Sequence, residues 1–391
     1  MEPRSAIVAG AGIGGLTAAL ALSRQGWRVT VLERRTGFSE VGAGIQISPN
    51  ASRVLIDLGL GSALRRAASE PSRVVVRSIG SGAQIGEVAL GPFMRERFGA
   101  PYYVIHRADL QRLLLDAVRS QPNVTLLLGR EACGFGGGSG QEIAIEKAGG
   151  ARETLAADLV VGADGLWSKL RAATGPARAP EYRGFVAWRA TMVRAEAPAE
   201  IAGEETGLWL GRAGHVVHYP LAGGRLLNIV AIERRADPVE GWAAPGRRED
   251  LLARFDDAAE SLRQLLAVPA EWLLWSVFDL PAARMANGRL ALLGDAAHPV
   301  LPFLAQGGAL AVEDAATLAN ALAQARDVPA ALERYANARL ARVRRVQAAA
   351  RRNGRAYHSG GIPAFVRDRI MARLGPQGMA ERYAWLYGWR A

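Results

Sequence analysis

Short apolar runs bounded by glycine recur at residues 5–9, 28–32, 158–162 and 290–293. Each has the length of one strand, and their unbroken hydrophobicity predicts strands covered on both faces. The first leads into Gly10-Ala-Gly12-Ile-Gly14-Gly15 and a helix to about Gln25. The last leads into Gly294-Asp295, a loop holding His298, Pro299 and Pro302, then Gln306-Gly307-Gly308 and a helix to about Ala325. Helical periodicity also marks residues 49–58, 106–118, 247–266 and 362–374, and residues 123–128 read as another strand.

From Phe185 to Glu233 the pattern changes to strand alternation, FVAWRATMV, TGLWLG, HVVHYPL and RLLNIVAIE, separated by glycine or proline turns. Residues 74–77 and 87–90 read as a hairpin outside the nucleotide core, and 273–280 as a strand leading back to it. The run GFGGGSG reads as a turn. These elements predict an α/β protein. A discontinuous Rossmann-type lobe takes 1–72, 100–176 and 282–391, C-terminal helices included. An inserted antiparallel-sheet lobe takes 73–99 and 177–281. The aromatic tail, 380–391, is expected to pack.

The glycine loop adds chemistry to this pattern. Glu33 ends the second strand eighteen residues beyond Gly15, close to the spacing of a dinucleotide fingerprint. The glycines allow close backbone approach, the helix N-terminus faces a pyrophosphate, and Glu33 can accept hydrogen bonds from a ribose. At the other end, Asp295 closes a strand opposite a helix opened by Gly307 and Gly308. Polar side chains and free backbone N–H groups therefore converge there on one large polar cofactor.

Composition narrows the class. Half of the 391 residues are hydrophobic and 22% charged, as in soluble enzymes, and no apolar run approaches the roughly 20 residues that span a membrane. The N-terminus leads directly into the first strand, so no cleavable signal is expected. The single cysteine, Cys133, excludes an internal disulfide and suits a cytoplasmic protein. The net charge is +11, but all basic residues except Lys147 and Lys169 are arginine, which points to codon usage more than to a nucleic-acid surface. The densest run, around Arg339–Arg355, reads as the solvated face of an amphipathic helix whose stripe includes Leu332, Tyr335, Val343 and Val346. His215 and His218 lack a third metal ligand, and a serine nucleophile elbow is absent.

Three motifs in order, GAGIGG at 10–15 with Glu33, DLVVGADGLWSKLR at 158–171 and LLGDAAHPVLPFLAQGG at 292–308, resemble the single-component FAD-dependent aromatic hydroxylases. FVAWRA at 185–190, HVVHYP at 215–220 and RYAWLYGW at 382–389 resemble the salicylate hydroxylase, 3-hydroxybenzoate 6-hydroxylase and 6-hydroxynicotinate monooxygenase branch. The resemblance implies FAD, NADH or NADPH as co-substrate, O2, and oxygen transfer from a flavin C4a-hydroperoxide to an aromatic or heteroaromatic substrate, typically a phenolic acid. It implies that Glu33 and Arg34 hold the adenosine ribose, Gly44 and Ile45 approach the flavin, and Arg107 lies near the phosphates or ribityl chain. Asp164 would serve both FAD and NAD(P)H, Asp295 the ribityl hydroxyls, and Pro299 would sit beside the reactive flavin carbon. With one fingerprint present, NAD(P)H would bind transiently.

On the substrate side, strand alternation puts His215, Val217 and Tyr219 on one face and His218 on the other. An imidazole and a phenol two pleats apart can bind and deprotonate a phenolic substrate, and the resemblance places this pair over the flavin. His218 is expected to be exposed or structural, and His298 loop-fixing or catalytic. Arg189 or Arg212 is a candidate for a substrate carboxylate, against an ordinary surface position, and Phe303 and Gln306 are candidates for pocket lining. A non-aromatic or polycyclic substrate, or a flavin-binding protein without turnover, remain alternatives. No nucleic-acid or membrane partner is expected, and a monomer or a homodimer is.

Overall fold

The computed structural model describes residues 4–38, 43–136, 141–176, 178–241 and 243–391. Most of the expected GFGGGSG turn lies outside these residues, although the strands flanking it, Arg130–Gly136 and Glu142–Lys147, pair as a hairpin.

The apolar runs form the middle of one six-stranded sheet, in the order Ala286–Asn287, Leu290–Leu292, Leu159–Gly162, Ser5–Ala9, Arg28–Glu33 and Val124–Leu128. All pairs are parallel except the two-residue edge strand Ala286–Asn287. Leu159–Gly162 and Leu290–Leu292 are buried at every position, which explains their unalternating sequence. At the amino ends of the two central strands, Asp158 accepts hydrogen bonds from the Ser5 backbone N–H at 2.9 Å and hydroxyl at 3.0 Å. The helix Ile13–Arg24 is buried over nearly its whole length against Arg107–Arg119 and Gly307–Gln324.

A second sheet has eight strands, in the order Ala244–Gly246, Trp272–Asp279, Glu181–Val193, Leu226–Arg234, Gly214–Leu221, Thr206–Leu210, Arg73–Ser78 and Gln84–Ala89. The hairpin read between residues 74 and 90 thus extends this sheet, joining it through a parallel pair with Thr206–Leu210. One face carries Val186, Trp188, Trp209, Val216, Ile229 and Ala231 and packs on two short helices, Arg248–Arg254 and Glu260–Ala267. Burying each of these large side chains contributes about 1.5–3 kcal/mol. The single helix expected over 247–266 is therefore broken at residues 255–259, where Phe255 turns into the core and its neighbours leave helical geometry. The other face carries Ala187, Ile232, Tyr219 and Leu221 toward the rest of the molecule.

Other expected helices change at their ends. The first turn after Asp164 is a 3-10 segment, Leu170–Thr174, rather than a helix through Arg171. The helix from Pro49 stops at Leu55, continues through a π turn to Leu60 past Gly59 with φ +77°, and resumes as Gly61–Ala67. The last amphipathic helix runs Gly361–Glu381 with a kink at Gly375-Pro376. The aromatic tail packs, as Trp385, Tyr387 and Trp389 lie against the main core.

The largest correction concerns the arginine-rich helix, Val328–Tyr357. Arg339 is 1% exposed, not part of a solvated face. Its guanidinium donates to Asp314 and Glu313, each at 2.6 Å, and Arg342 donates to both oxygens of Glu313 at 2.6 Å. Two adjacent acids buried on Gly307–Gln324 require this compensation, because an uncompensated buried charge is costly. Among the described residues no helix is long and apolar enough to cross a membrane.

Candidate active site

The glycine loop has the tight geometry its sequence demands. Gly10 has φ +110°, and a β-carbon there, or at Gly15, would run into backbone. Gly12 differs: nothing lies within 4 Å of where its β-carbon would be, so its backbone faces open space. Gly14 packs against Leu293 and Ala311, which locks the helix to the closing strand of the sheet. Glu33 accepts from the Ala11 N–H and the Arg35 N–H, both at 3.0 Å, so its carboxylate is fixed beside the loop.

A cavity of about 330 Å³ opens from this loop. Gly10, Gly12, Glu33 and Arg34 line one end, Arg107, Asp164 and Lys169 the middle, and Arg189, Thr191, Leu273 and Trp275 the side formed by the eight-stranded sheet. One Asp164 oxygen receives the N–H groups of Lys169 and Leu170, at 2.9 and 3.3 Å, while the other is buried without a partner. An orphaned carboxylate oxygen on a groove wall is a place for a ligand hydroxyl.

Arg171, to which the sequence reading gave no role, ties the two signature loops together. It donates from Nε to the Ala296 carbonyl at 2.8 Å and from Nη2 to the carbonyls of Leu166 at 2.8 Å and Asp295 at 3.1 Å. The only signal for it in the chain is that it closes the DLVVGADGLWSKLR motif. Asp295 itself stands in the turn Gly294–Ala296, its side chain exposed but crowded by protein. That crowding raises its pKa above the usual carboxylate value, opposed by Arg107, His298 and Arg171.

His298 is buried, with Nε2 2.6 Å from Asp314, which also accepts from the Gly294 N–H at 2.9 Å. Burial would push the Asp314 carboxyl up, but His298, Arg339 and the Gly294 N–H hold it down at about 2. His298 therefore fixes the loop. Pro299 is buried in the same loop, its carbonyl accepting from Gln347 at 3.0 Å.

The remaining candidates fall into two groups. Gly44 and Ile45 lie on the strand Gly44–Ile47, and Ile45 touches the α-carbon side of Gly308, so this strand and the helix opening at Gly307 meet. Gly307 has nothing nearer than Val300 at 3.8 Å from where its β-carbon would be. The helix therefore begins on open space with its N–H groups free for an anionic ligand edge. Tyr219 packs on Gly44, and the Gly44 N–H donates to Asn228 at 2.8 Å. Asn228 was not foreseen. It is fully buried with its amide nitrogen unpartnered, and its sign in the sequence is a lone amide in the apolar run LLNIVAIE.

His215 and Tyr219 share a face, as alternation predicts, and three rows cross the sheet there in register: His215–Ile232–Ala187, Val217–Val230–Arg189 and Tyr219–Asn228–Thr191. Arg189 is half-buried rather than an ordinary surface residue; its Nε has no partner and its guanidinium lies over Trp275. Burial, then Arg107, lower its pKa. Arg212 is exposed, against Gly360. His218, on the opposite face, is buried beside Trp209 rather than exposed. Phe303 and Gln306 are not among the residues lining the cavity described above, and neither are His215, Tyr219, Pro299, Asp295 or Gly307. Phe303 packs on Phe185 and His215. Gln306 is buried in hydrogen bonds with Ser48 at 3.0 Å and Asn50 at 3.1 Å, an inward-facing polar cluster that its sequence context does not reveal.

Residues 4–350 match the family described as FAD binding domain. The chain is 35% identical over 98% of its length, and 95% of the relative's, to a 3-hydroxybenzoate 6-hydroxylase of Polaromonas naphthalenivorans (strain CJ2). It is 38% identical over all of its length, and 97% of the relative's, to a 3-amino-4-hydroxybenzoate 2-monooxygenase of Streptomyces platensis. Among solved structures, Klebsiella pneumoniae HpxO complexed with FAD and uric acid superposes with a TM-score of 0.83 at 27% identity, covering 97% of this chain and 95% of that one. The chain belongs to the FAD-binding domain family and is a flavoprotein monooxygenase. Its cofactor is FAD. The open backbone at Gly12, the orphaned Asp164 oxygen and the free helix start at Gly307 fit that cofactor's pyrophosphate, polyol chain and pyrimidine edge respectively.

Proposed function

We propose that this protein hydroxylates a phenolic acid at the expense of NADH or NADPH and O2. The observation that carries the reading is the half-buried Arg189 guanidinium, which lies over Trp275 with its Nε unpartnered and sits in the sheet row between those of His215 and Tyr219. A cation suits a carboxylate, while a phenol and an imidazole suit a ring hydroxyl. The α-carbons of His215 and Tyr219 stand about 13 Å apart along the strand, and Val217 between them points to the same face. Both relatives named above act, by their names, on hydroxybenzoates.

In this reading Glu33 and Arg34 bind the adenosine ribose, and Gly10, Gly12, Gly14 and Gly15 let the loop approach the pyrophosphate. Arg107, Asp164, Gly294 and Asp295 hold the middle of the cofactor. Gly44, Ile45, Pro299, Gly307 and Gly308 surround its reactive end. Bound FAD supplies the oxygen-activating chemistry. The protein's own work is to exclude water, with Tyr219, Tyr102 and Leu221 forming an apolar wall, and to keep negative charge stable at the start of the helix Gly307–Gln324. The proposed division into a cofactor lobe and a substrate lobe follows the two large sheets.

The test is NAD(P)H consumption by the FAD-loaded protein with a panel of hydroxybenzoates and hydroxypyridine acids, followed by product identification. Stimulation with a hydroxylated product supports the proposal. Unstimulated oxidation, or stimulation that yields only peroxide with every compound, overturns it.

A further inference from the structure

The helix Val328–Tyr357 ends against the eight-stranded sheet, and its C-cap residue, His358, places Nε2 2.9 Å from Nδ1 of His215. The two rings are 143 residues apart in sequence and both buried, among Phe185, Phe303 and Tyr357. The charged group bearing on His358 is a cation, Arg234, and the group bearing on His215 is His358 itself. Burial and these neighbours lower the pKa of both, that of His358 to about 4, so near neutral pH the pair is two uncharged imidazoles sharing one proton.

Two arrangements satisfy that contact. If Nδ1–H of His215 donates, His358 must carry its own proton on Nδ1, a buried atom with no partner. If Nε2–H of His358 donates, the same Nδ1 bears a lone pair instead, and the unpaired proton moves to Nε2 of His215, which unlike His358 Nδ1 is not sealed off from solvent. A buried N–H without an acceptor is the costlier and rarer defect. We infer that His358 donates to His215 and so fixes His215 as the tautomer protonated on Nε2. His358 is thereby a positioning residue that acts through its neighbour.

The consequence for chemistry rests on the phenolic-acid reading above. A His215 whose Nδ1 lone pair is engaged, and whose Nε2 already carries a proton, meets the substrate as a hydrogen-bond donor. It stabilises a phenolate oxygen, whose charge enriches the ring, and the phenolic proton goes to solvent rather than to this imidazole.

The FAD-loaded protein labelled with ¹⁵N-histidine has five histidine signals to resolve, and that of His215 is identified by its loss in His215→Asn. The expected spectrum shows His215 with a pyridine-type Nδ1 and a pyrrole-type Nε2. In His358→Ala the His215 signals average between tautomers, and 3-hydroxybenzoate binding, read from the flavin absorbance, weakens by roughly tenfold. His358→Gln, which keeps an N–H donor on the same stem, restores both, and FAD retention is the same in all three proteins. A wild-type His215 protonated on Nδ1, or a tautomer unchanged in His358→Ala, overturns the inference. If no phenolic acid binds, the proposed substrate class fails, while the tautomer, read without substrate, still decides the role of His358.

Discussion

Tyr219 packs its ring against the α-carbon of Gly44 so closely that a β-carbon there would collide with the ring and stand 2.9 Å from the phenol oxygen. Gly44 is thus required by its neighbour rather than by its backbone angles, and the strand Gly44–Ile47 is pinned to the eight-stranded sheet. Gly44→Ala should displace Tyr219 and uncouple NADH oxidation from hydroxylation while FAD stays bound. The ratio of peroxide to hydroxylated product measures this. Tyr219→Phe, which leaves the packing intact, should impair oxygen insertion through the lost hydroxyl alone.

In the proposed cofactor groove Glu33 stands at the adenosine end and Asp295 beside the middle. Losing a carboxylate that accepts ligand hydroxyls should weaken FAD binding by roughly ten- to a hundredfold. Glu33→Ala and Asp295→Asn should each show this by flavin fluorescence on dilution. Glu33→Ala carries an added cost, because Ala11 and Arg35 lose the acceptor that fixes the loop.

Arg339→Met leaves Glu313 and Asp314 buried against a neutral side chain. The expected loss of stability is about 3–5 kcal/mol, measured as a fall in the urea midpoint. The Asp314 carboxyl is held at about 2, below its ordinary 3.8. Its contribution is therefore complete above the unfolded value and lost as pH falls through about 2. Asp314→Asn should flatten stability over that acid window.

Acid should weaken the fold earlier through His218. Burial, then Arg77, depress its pKa from 6.5 to about 3. Between those values the unfolded chain takes up a proton that the folded chain refuses, so stability falls as pH drops below 6.5. His218→Leu should unfold with a smaller difference between neutrality and about pH 5 than the parent protein.

Much of this molecule was legible where a single local rule decided the outcome. Unalternating apolar runs gave the parallel sheet, and the glycine loop with Glu33 gave the nucleotide end. Strand alternation separated His215 and Tyr219 from His218. What escaped depends on partners far away in the chain. Arg339 looks solvated until Glu313 and Asp314 are brought beneath it, and Gln306 looks free until Ser48 and Asn50 close over it. Asn228, Arg171 and His358 escaped because each acts on a backbone group or a ring contributed by another element. The break at residues 255–259 was hidden because the apolar spacing continues across it.

The anchoring of the Gly294–Ala296 turn also ties the proposed cofactor groove to a helix distant in sequence. The glycine loop and Glu33 lie far upstream of that turn in the chain. The turn carrying Asp295 is steadied by Asp314, whose counter-charge, Arg339, lies on the helix Val328–Tyr357. A chain lacking that helix keeps the adenosine end of its cofactor groove but has no counter-ion for the acid bracing the turn. A protein truncated before that helix is therefore expected to hold flavin weakly, which the fluorescence of flavin released on dilution would measure.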